Sequence, residues 1–153
     1  MDDLTIRAEA FDHPDAMALR DELAADLHAR YGRDTEPGAK PTARDTAVFL
    51  IIRNGGEALG CGALRSLDAT TVEIKRMFVR PLARGRGLGR RLLAALEDEA
   101  ALLGARRVVL ETGVEQHEAI ALYERGGYRP IPCFGAYAGS AISLCYERVL
   151  RPD

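Results

Sequence analysis

Hydrophobic positions change period several times along the chain, and each change marks an element. Near the N-terminus "LTIRAEA" alternates weakly, predicting a first strand. In "DHPDAMALRDELAADLHARYG" the residues Leu19, Leu23, Leu27 and Tyr31 form one i, i+4 stripe, predicting a helix with Asp12 or His13 as cap and Pro14 in its first turn. Gly32 to Asp45 loses the period and holds Pro37, Gly38 and Pro41, which predicts a loop. "TAVFLIIR" is a strong β run, and "NGG" at Asn54 to Gly56 signals a hairpin. "EALGCGALRSL" returns as a second strand weakened by its glycines, Asp68-Ala69 turns again, and "TVEIKRMFV" follows. These strands predict an antiparallel meander.

After Val79 the pattern becomes helical. Leu88, Leu92, Leu96 and Leu103, with Leu93 beside them, predict a helix from about Leu88 to Leu103, closed by Gly104. "RRVVLET" is a short apolar strand, so strand, helix and strand make a parallel βαβ unit. "QHEAIALYER" predicts a short helix stopped by Gly126-Gly127, and "YRPIPCF" and "AISLCYERV" a closing pair of strands. The expected fold class is α/β (α+β): a mixed sheet in a single domain over residues 1–153, without internal repeats.

Composition narrows the function classes. The chain of 153 residues is 47% hydrophobic and 29% charged with a net charge of −2, which suits a folded core. No long basic stripe points to nucleic acid, and no apolar run is long enough to span a bilayer. The acidic opening "MDDLTIRAEAFDHPD" lacks the apolar centre of a secretory signal, so the expected compartment is the cytoplasm. Cys61, Cys133 and Cys145 fit no zinc spacing, and no metal site is indicated. They are read as small buried hydrophobes in a reducing cell.

One stretch breaks two local rules. In "RPLARGRGLGRRLLAALEDEA" a helix begins with glycines and with Arg84, Arg86, Arg90 and Arg91. A helix N-terminus already carries about half a positive charge, and a helical glycine costs roughly 1 kcal/mol against alanine. Both violations disappear if an anion sits there, held by free backbone N–H groups that Gly85, Gly87 and Gly89 leave open to close approach. The stretch is a poor dinucleotide fingerprint, because Arg90 follows where a third glycine is needed, and it has no G-K-S/T ending of a P-loop.

"RMFVRPLARGRGLGRRLL" resembles motif A of the GCN5-related N-acetyltransferases (GNATs). In that family a strand leads into a loop of arginine or glutamine, two residues, glycine, one residue, then glycine or alanine. Arg84-Gly85-Arg86-Gly87-Leu88-Gly89 fits it throughout. "EAIALYERGGY", Glu118 to Tyr128, resembles the family's later motif, a tyrosine on a short helix followed by a glycine-aromatic pair. The resemblance implies a GNAT-type, mostly antiparallel twisted sheet of about six to seven strands with one parallel crossover and flanking helices. It also implies acetyl-CoA as cosubstrate. The pyrophosphate would lie on backbone N–H groups of Arg84, Gly85, Arg86, Gly87, Leu88, Gly89 and Arg90, and the pantetheine arm would pair with Met77, Phe78 and Val79. Gln116 stands where members often have an asparagine touching that arm.

Acetyl transfer from a thioester needs a neutral amine, a stabilised carbonyl oxygen and a proton for the thiolate. A free alkyl amine has a pKa of about 10, so a base or water path is needed. Tyr123 is the candidate acid and Glu73 the candidate base, with Glu111 in reserve and a backbone N–H near Val79 for the oxyanion. Period-two counting puts Glu73, Lys75, Met77 and Val79 on one face, unless a bulge intervenes. Arg30, Tyr31, Arg33, Phe134 and Tyr137 are candidates for acceptor selection. The expected function is an N-acetyltransferase for a primary amine of a small molecule, by direct transfer in a ternary complex. A catalytically silent CoA-binding partner protein and a protein-lysine or N-terminal acetyltransferase are the alternatives, and a homodimer is left open.

Overall fold

A computed structural model describes residues 3–32 and 42–150. The strands are β1 (Leu4–Ala8), β2 (Val48–Asn54), β3 (Glu57–Ser66), β4 (Thr71–Val79), β5 (Arg107–Gly113), β6 (Arg129–Ile131) and β7 (Ser143–Val149). The helices are α1 (Pro14–Tyr31), α2 (Leu88–Leu102) and α3 (His117–Arg125). Single 3-10 turns cover Pro81–Ala83 and Gly135–Tyr137. The seven strands form one sheet in the order β1-β2-β3-β4-β5-β7-β6. Among the described residues only β4 and β5 run parallel; the other pairs are antiparallel.

Local chemistry explains most boundaries. His13, one of the two expected caps, accepts the Asp15 N–H on Nδ1 at 3.0 Å and starts α1. Gly55 and Gly56 both take positive φ (57° and 95°), which a two-residue hairpin between β2 and β3 requires. Gly104, at φ 83°, turns the chain away after α2. α2 covers one sheet face with Leu88, Leu92, Leu93, Leu96 and Ala100, packed on Ile52, Leu64, Val72, Ile74, Val108 and Leu110. α1 covers part of the other with Ala16, Leu19 and Leu23 against Phe49, Ile51, Cys61 and Phe78. Among the described residues no helix is long and apolar enough to cross a membrane.

Two findings depart from the expected pattern. β4 is not a regular strand: Arg76 has φ 60°, and the β3–β4 register shifts between Cys61↔Phe78 and Ala63↔Lys75. This bulge flips the alternation. Met77 and Val79 pack with the α2-side core, as Val72 and Ile74 do, while Glu73 and Lys75 belong to the opposite face. The four residues therefore do not share one face. The second correction concerns the cysteines. Cys133 and Cys145 are joined by a disulfide, with Cα atoms 5.1 Å apart, and only Cys61 is a buried free thiol. Pairing of Ile131 with Cys145 across β6 and β7 brings the two cysteines together, and no spacing rule shows that in advance.

Candidate functional site

The parallel ladder between β4 and β5 is short. It runs from Thr71↔Arg107 to Ile74↔Leu110 and stops, although β4 continues to Val79 and β5 to Gly113. Past that point the strands form the two arms of a V. A cleft of about 430 Å³ opens there. The β4 arm lines it with Met77, Phe78 and Val79, whose edge toward β5 carries no ladder. On the far side stand Gln116, Ala119, Leu122 and Tyr123, from α3 and the turn before it. Its mouth is formed by Arg84, Gly85, Gly87, Leu88, Gly89 and Arg90.

The mouth is a helix N-terminus without a side-chain cap. Gly87 is the N-cap of α2 at φ 79°, with no side chain capping the helix and no acidic residue in its first turn. First-turn N–H groups of a helix have no partner within it. Gly85 (φ 80°) and Gly87 are required by the turn itself, since a Cβ at either would meet nothing within 4 Å. Gly89 has another reason. Its missing Cβ would come 3.2 Å from Leu122, so this glycine lets α3 pack on α2.

The acetyltransferase (GNAT) family model matches residues 11–128. An IAA acetyltransferase of Azospirillum brasilense is 43% identical over 118 residues, 76% of this chain and 74% of that protein. A Klebsiella pneumoniae protein assigned as an acyl-CoA N-acyltransferase superposes with a TM-score of 0.84 at 34% identity, covering 97% of this chain and 98% of its own. A GNAT acetyltransferase of Elizabethkingia anophelis, with acetyl-CoA bound, shares the fold at TM-score 0.72 and 20% identity, over 98% and 100% of the two chains. The chain belongs to the GNAT acetyltransferase family.

In this GNAT enzyme the residues marked in the sequence divide into three groups. Met77, Phe78, Val79, Gly85, Gly87, Leu88, Gly89, Arg90, Gln116 and Tyr123 all line the cleft. Arg84 and Arg86 behave differently from expectation. The Arg84 N–H is taken by the Pro81 carbonyl, while its Nε donates to the Val79 carbonyl at 2.8 Å and its Nη2 lies 3.9 Å from Asp26. It braces the loop. Arg86 is exposed and stands outside the cleft. Gln116 also has a local task, accepting the Gly113 N–H on Oε1 at 2.7 Å.

Glu73 forms the third group. It is fully buried one ladder pair short of the V's opening, since Glu73↔Val109 is followed only by Ile74↔Leu110. Arg65 donates to its Oε1 at 2.6 and 3.2 Å, and Lys75 Nζ lies 4.0 Å from Oε2. Glu73 does not line the cleft. Glu111 does stand at the opening, one residue past the last ladder pair, and accepts a hydrogen bond from Ser143 at 2.7 Å. Burial, then the nearby Glu111 charge, pushes the Tyr123 hydroxyl well above the usual tyrosine range. Tyr123 is thus protonated at every working pH and close enough to Glu111 to feel it. Cys61 is no nucleophile: burial pushes its thiol up to about 12.

The sequence marked α1 as a helix but not its part in the cleft. Leu23 and Asp26 line the cleft, and Arg30 and Tyr31 reach the β5–α3 turn instead of standing free for an acceptor. Arg33 lies outside the described residues. Tyr137 is buried, with its hydroxyl on Lys75. The one signal available was Gly113, which ends a strand without needing positive φ: a Cβ there would collide with the Tyr31 hydroxyl.

Proposed function

We propose that this enzyme transfers the acetyl group of acetyl-CoA to a primary amine of a small molecule, directly, within a ternary complex. The observation that carries the reading is the V: an unladdered β4 edge that ends at a helix N-terminus with open N–H groups. That donor set suits a pyrophosphate followed by an amide-bearing arm. A fold neighbour binds acetyl-CoA, and the name of the Azospirillum relative favours a small-molecule acceptor. The reading makes this a cytoplasmic enzyme, beside its cosubstrate.

Acetyl-CoA supplies an activated acyl carbon and a thiol leaving group. The chain's residues have four tasks. The first turn of α2, from Gly87 to Arg90, holds the phosphates by backbone N–H groups, with Arg90 adding charge. Met77, Phe78 and Val79 hold the arm. Glu111 takes the proton from the attacking amine as the C–N bond forms. Tyr123 donates its hydroxyl hydrogen to the sulfur as the C–S bond breaks. A thiol has a pKa of about 8.5, well below that of this tyrosine, so the hydroxyl acts mainly as a hydrogen-bond donor to the departing sulfur. Glu111 replaces Glu73 as the proposed base, because Glu73 is walled off and already bound by Arg65.

Incubation with acetyl-CoA and a panel of amines, read by released thiol, tests the reading. Amine-dependent release is expected. Acetyl-CoA binding by calorimetry without release for any amine would instead make the protein a silent CoA-binding partner.

A further inference from the structure

The width of the V has to be set by something other than a ladder. In a paired sheet, hydrogen bonds hold neighbouring strands about 4.8 Å apart. Beyond Ile74 and Leu110 that restraint is gone. On the α2 face the arms are spanned by the contact of Gly89 with Leu122. On the other face they are spanned by α1, which is attached to both. At the β4 arm, Leu23 packs in one cluster with Phe78, and Glu22 takes two bonds from Arg80, at 2.8 and 2.7 Å. At the β5 arm the last turn of α1 is attached by two residues. Arg30 donates to the Glu115 carbonyl at 3.2 Å and pairs with Glu118, while its Nε is held by Asp26 at 3.1 Å. The Tyr31 hydroxyl accepts the Glu115 N–H at 3.1 Å and sits where a Cβ of Gly113 would be.

Resting on the acetyl-CoA reading, we propose that α1 is a crossbar that sets the width of the V, with Arg30 and Tyr31 as positioning residues for the cosubstrate arm. The attachment points fall on either side of Gln116, whose amide is fixed on Gly113 and lines the cleft. Holding Glu115 and Glu118 therefore holds Gln116 opposite Met77 to Val79. An exposed ion pair contributes little to stability, and Glu118 is about half exposed (53%), so the pairing acts on geometry more than on the folded state's free energy. Preorganising the two arms lowers the ordering cost of binding.

Calorimetric affinity for acetyl-CoA tests the crossbar without any acceptor. Arg30→Gln is expected to weaken binding about tenfold, Arg30→Lys and Tyr31→Phe about threefold each, the range of coupling between residues joined in one hydrogen-bond network. With a turned-over amine, the Arg30→Gln loss should appear in KM for acetyl-CoA, with kcat within about twofold of wild type. A role in folding alone predicts a lower Tm with unchanged affinity per folded molecule, and that result overturns the proposal. If Arg30→Gln does not fold, Tyr31→Phe decides, since it removes one oxygen and keeps the ring; wild-type affinity there also overturns it. A wild-type protein that does not bind acetyl-CoA sinks the cosubstrate reading with it, whereas a wild type that binds and variants that bind equally sink the crossbar alone.

Discussion

At Tyr123 the sheet, α3 and the ring of Tyr128 bury a hydroxyl that burial and Glu111 hold protonated. Tyr123→Phe removes that oxygen and leaves the packing. Proton donation typically contributes about 10²–10⁴-fold, and a thiolate is a fair leaving group, so kcat should fall about 10²-fold. KM for acetyl-CoA should hold, and stability should stay within about 1 kcal/mol. Turnover above half of wild type, on a substrate whose chemical step limits the rate, would remove Tyr123 from the mechanism. The two carboxylates separate as cleanly. Glu111→Gln, which keeps an acceptor for Ser143, should lower kcat by about 10²-fold. Glu73→Gln should leave turnover nearly intact and cost about 1–3 kcal/mol of stability, because Arg65 loses its buried partner. The reverse pattern, measured by single-turnover kinetics and thermal melts, would return the base role to Glu73.

Among the elements, the N-terminus of α2 and the C-terminus of α1 frame the cleft in opposite ways. The first is open by construction. Gly87→Asn tests it, because asparagine tolerates the left-handed conformation that Gly87 adopts at φ 79° while placing a side chain in the mouth. Acetyl-CoA affinity should collapse with a Tm near wild type; unchanged affinity by calorimetry would refute the phosphate assignment. The second end is closed by Glu118. Burial pushes its carboxyl upward, but the Arg30 hydrogen bond, a backbone N–H and the Arg30 and Arg84 charges together outweigh this and hold it below the usual carboxylate range. A depressed folded-state pKa means that the pair's contribution is present above the ordinary carboxylate value of about 4.3 and is lost as pH falls through the lower folded value. The Tm difference between wild type and Glu118→Gln should therefore be level from neutral pH to about 5 and vanish in stronger acid. A difference that grows on acidification would contradict the pairing.

For the whole molecule, the Cys133–Cys145 bond matters most on the acceptor side. It closes the segment that carries Phe134 and Tyr137, and Tyr137 covers Lys75 beside the V's opening. Cross-linking residues 12 apart restricts the unfolded chain by about 3 kcal/mol. Melts with and without reductant should differ accordingly, and Cys133→Ser should match the reduced wild type. A Tm indifferent to reductant would show that the bond does not constrain the chain in solution.

Much of this was determined by the sequence itself, where the physics is local. Alternation and helical stripes marked every strand and helix. Asn54-Gly55-Gly56 marked a hairpin because only residues tolerant of positive φ close two strands with two residues. The glycine-arginine stretch marked a candidate anion site, because an uncapped helix start with cations is unfavourable when empty. Tertiary structure decided what depends on residues far apart. The bulge at Arg76 is a mismatch between β3 and β4, invisible in either strand alone, and it moved Glu73 away from Met77. Which carboxylate stands where the strands part depends on where the β4–β5 ladder stops. The cysteine pairing depends on β6 aligning with β7. Arg30, read as a free cation for an acceptor, became a strut only when α1 lay across the sheet, because its partners Glu115 and Glu118 are 85 and 88 residues away along the chain.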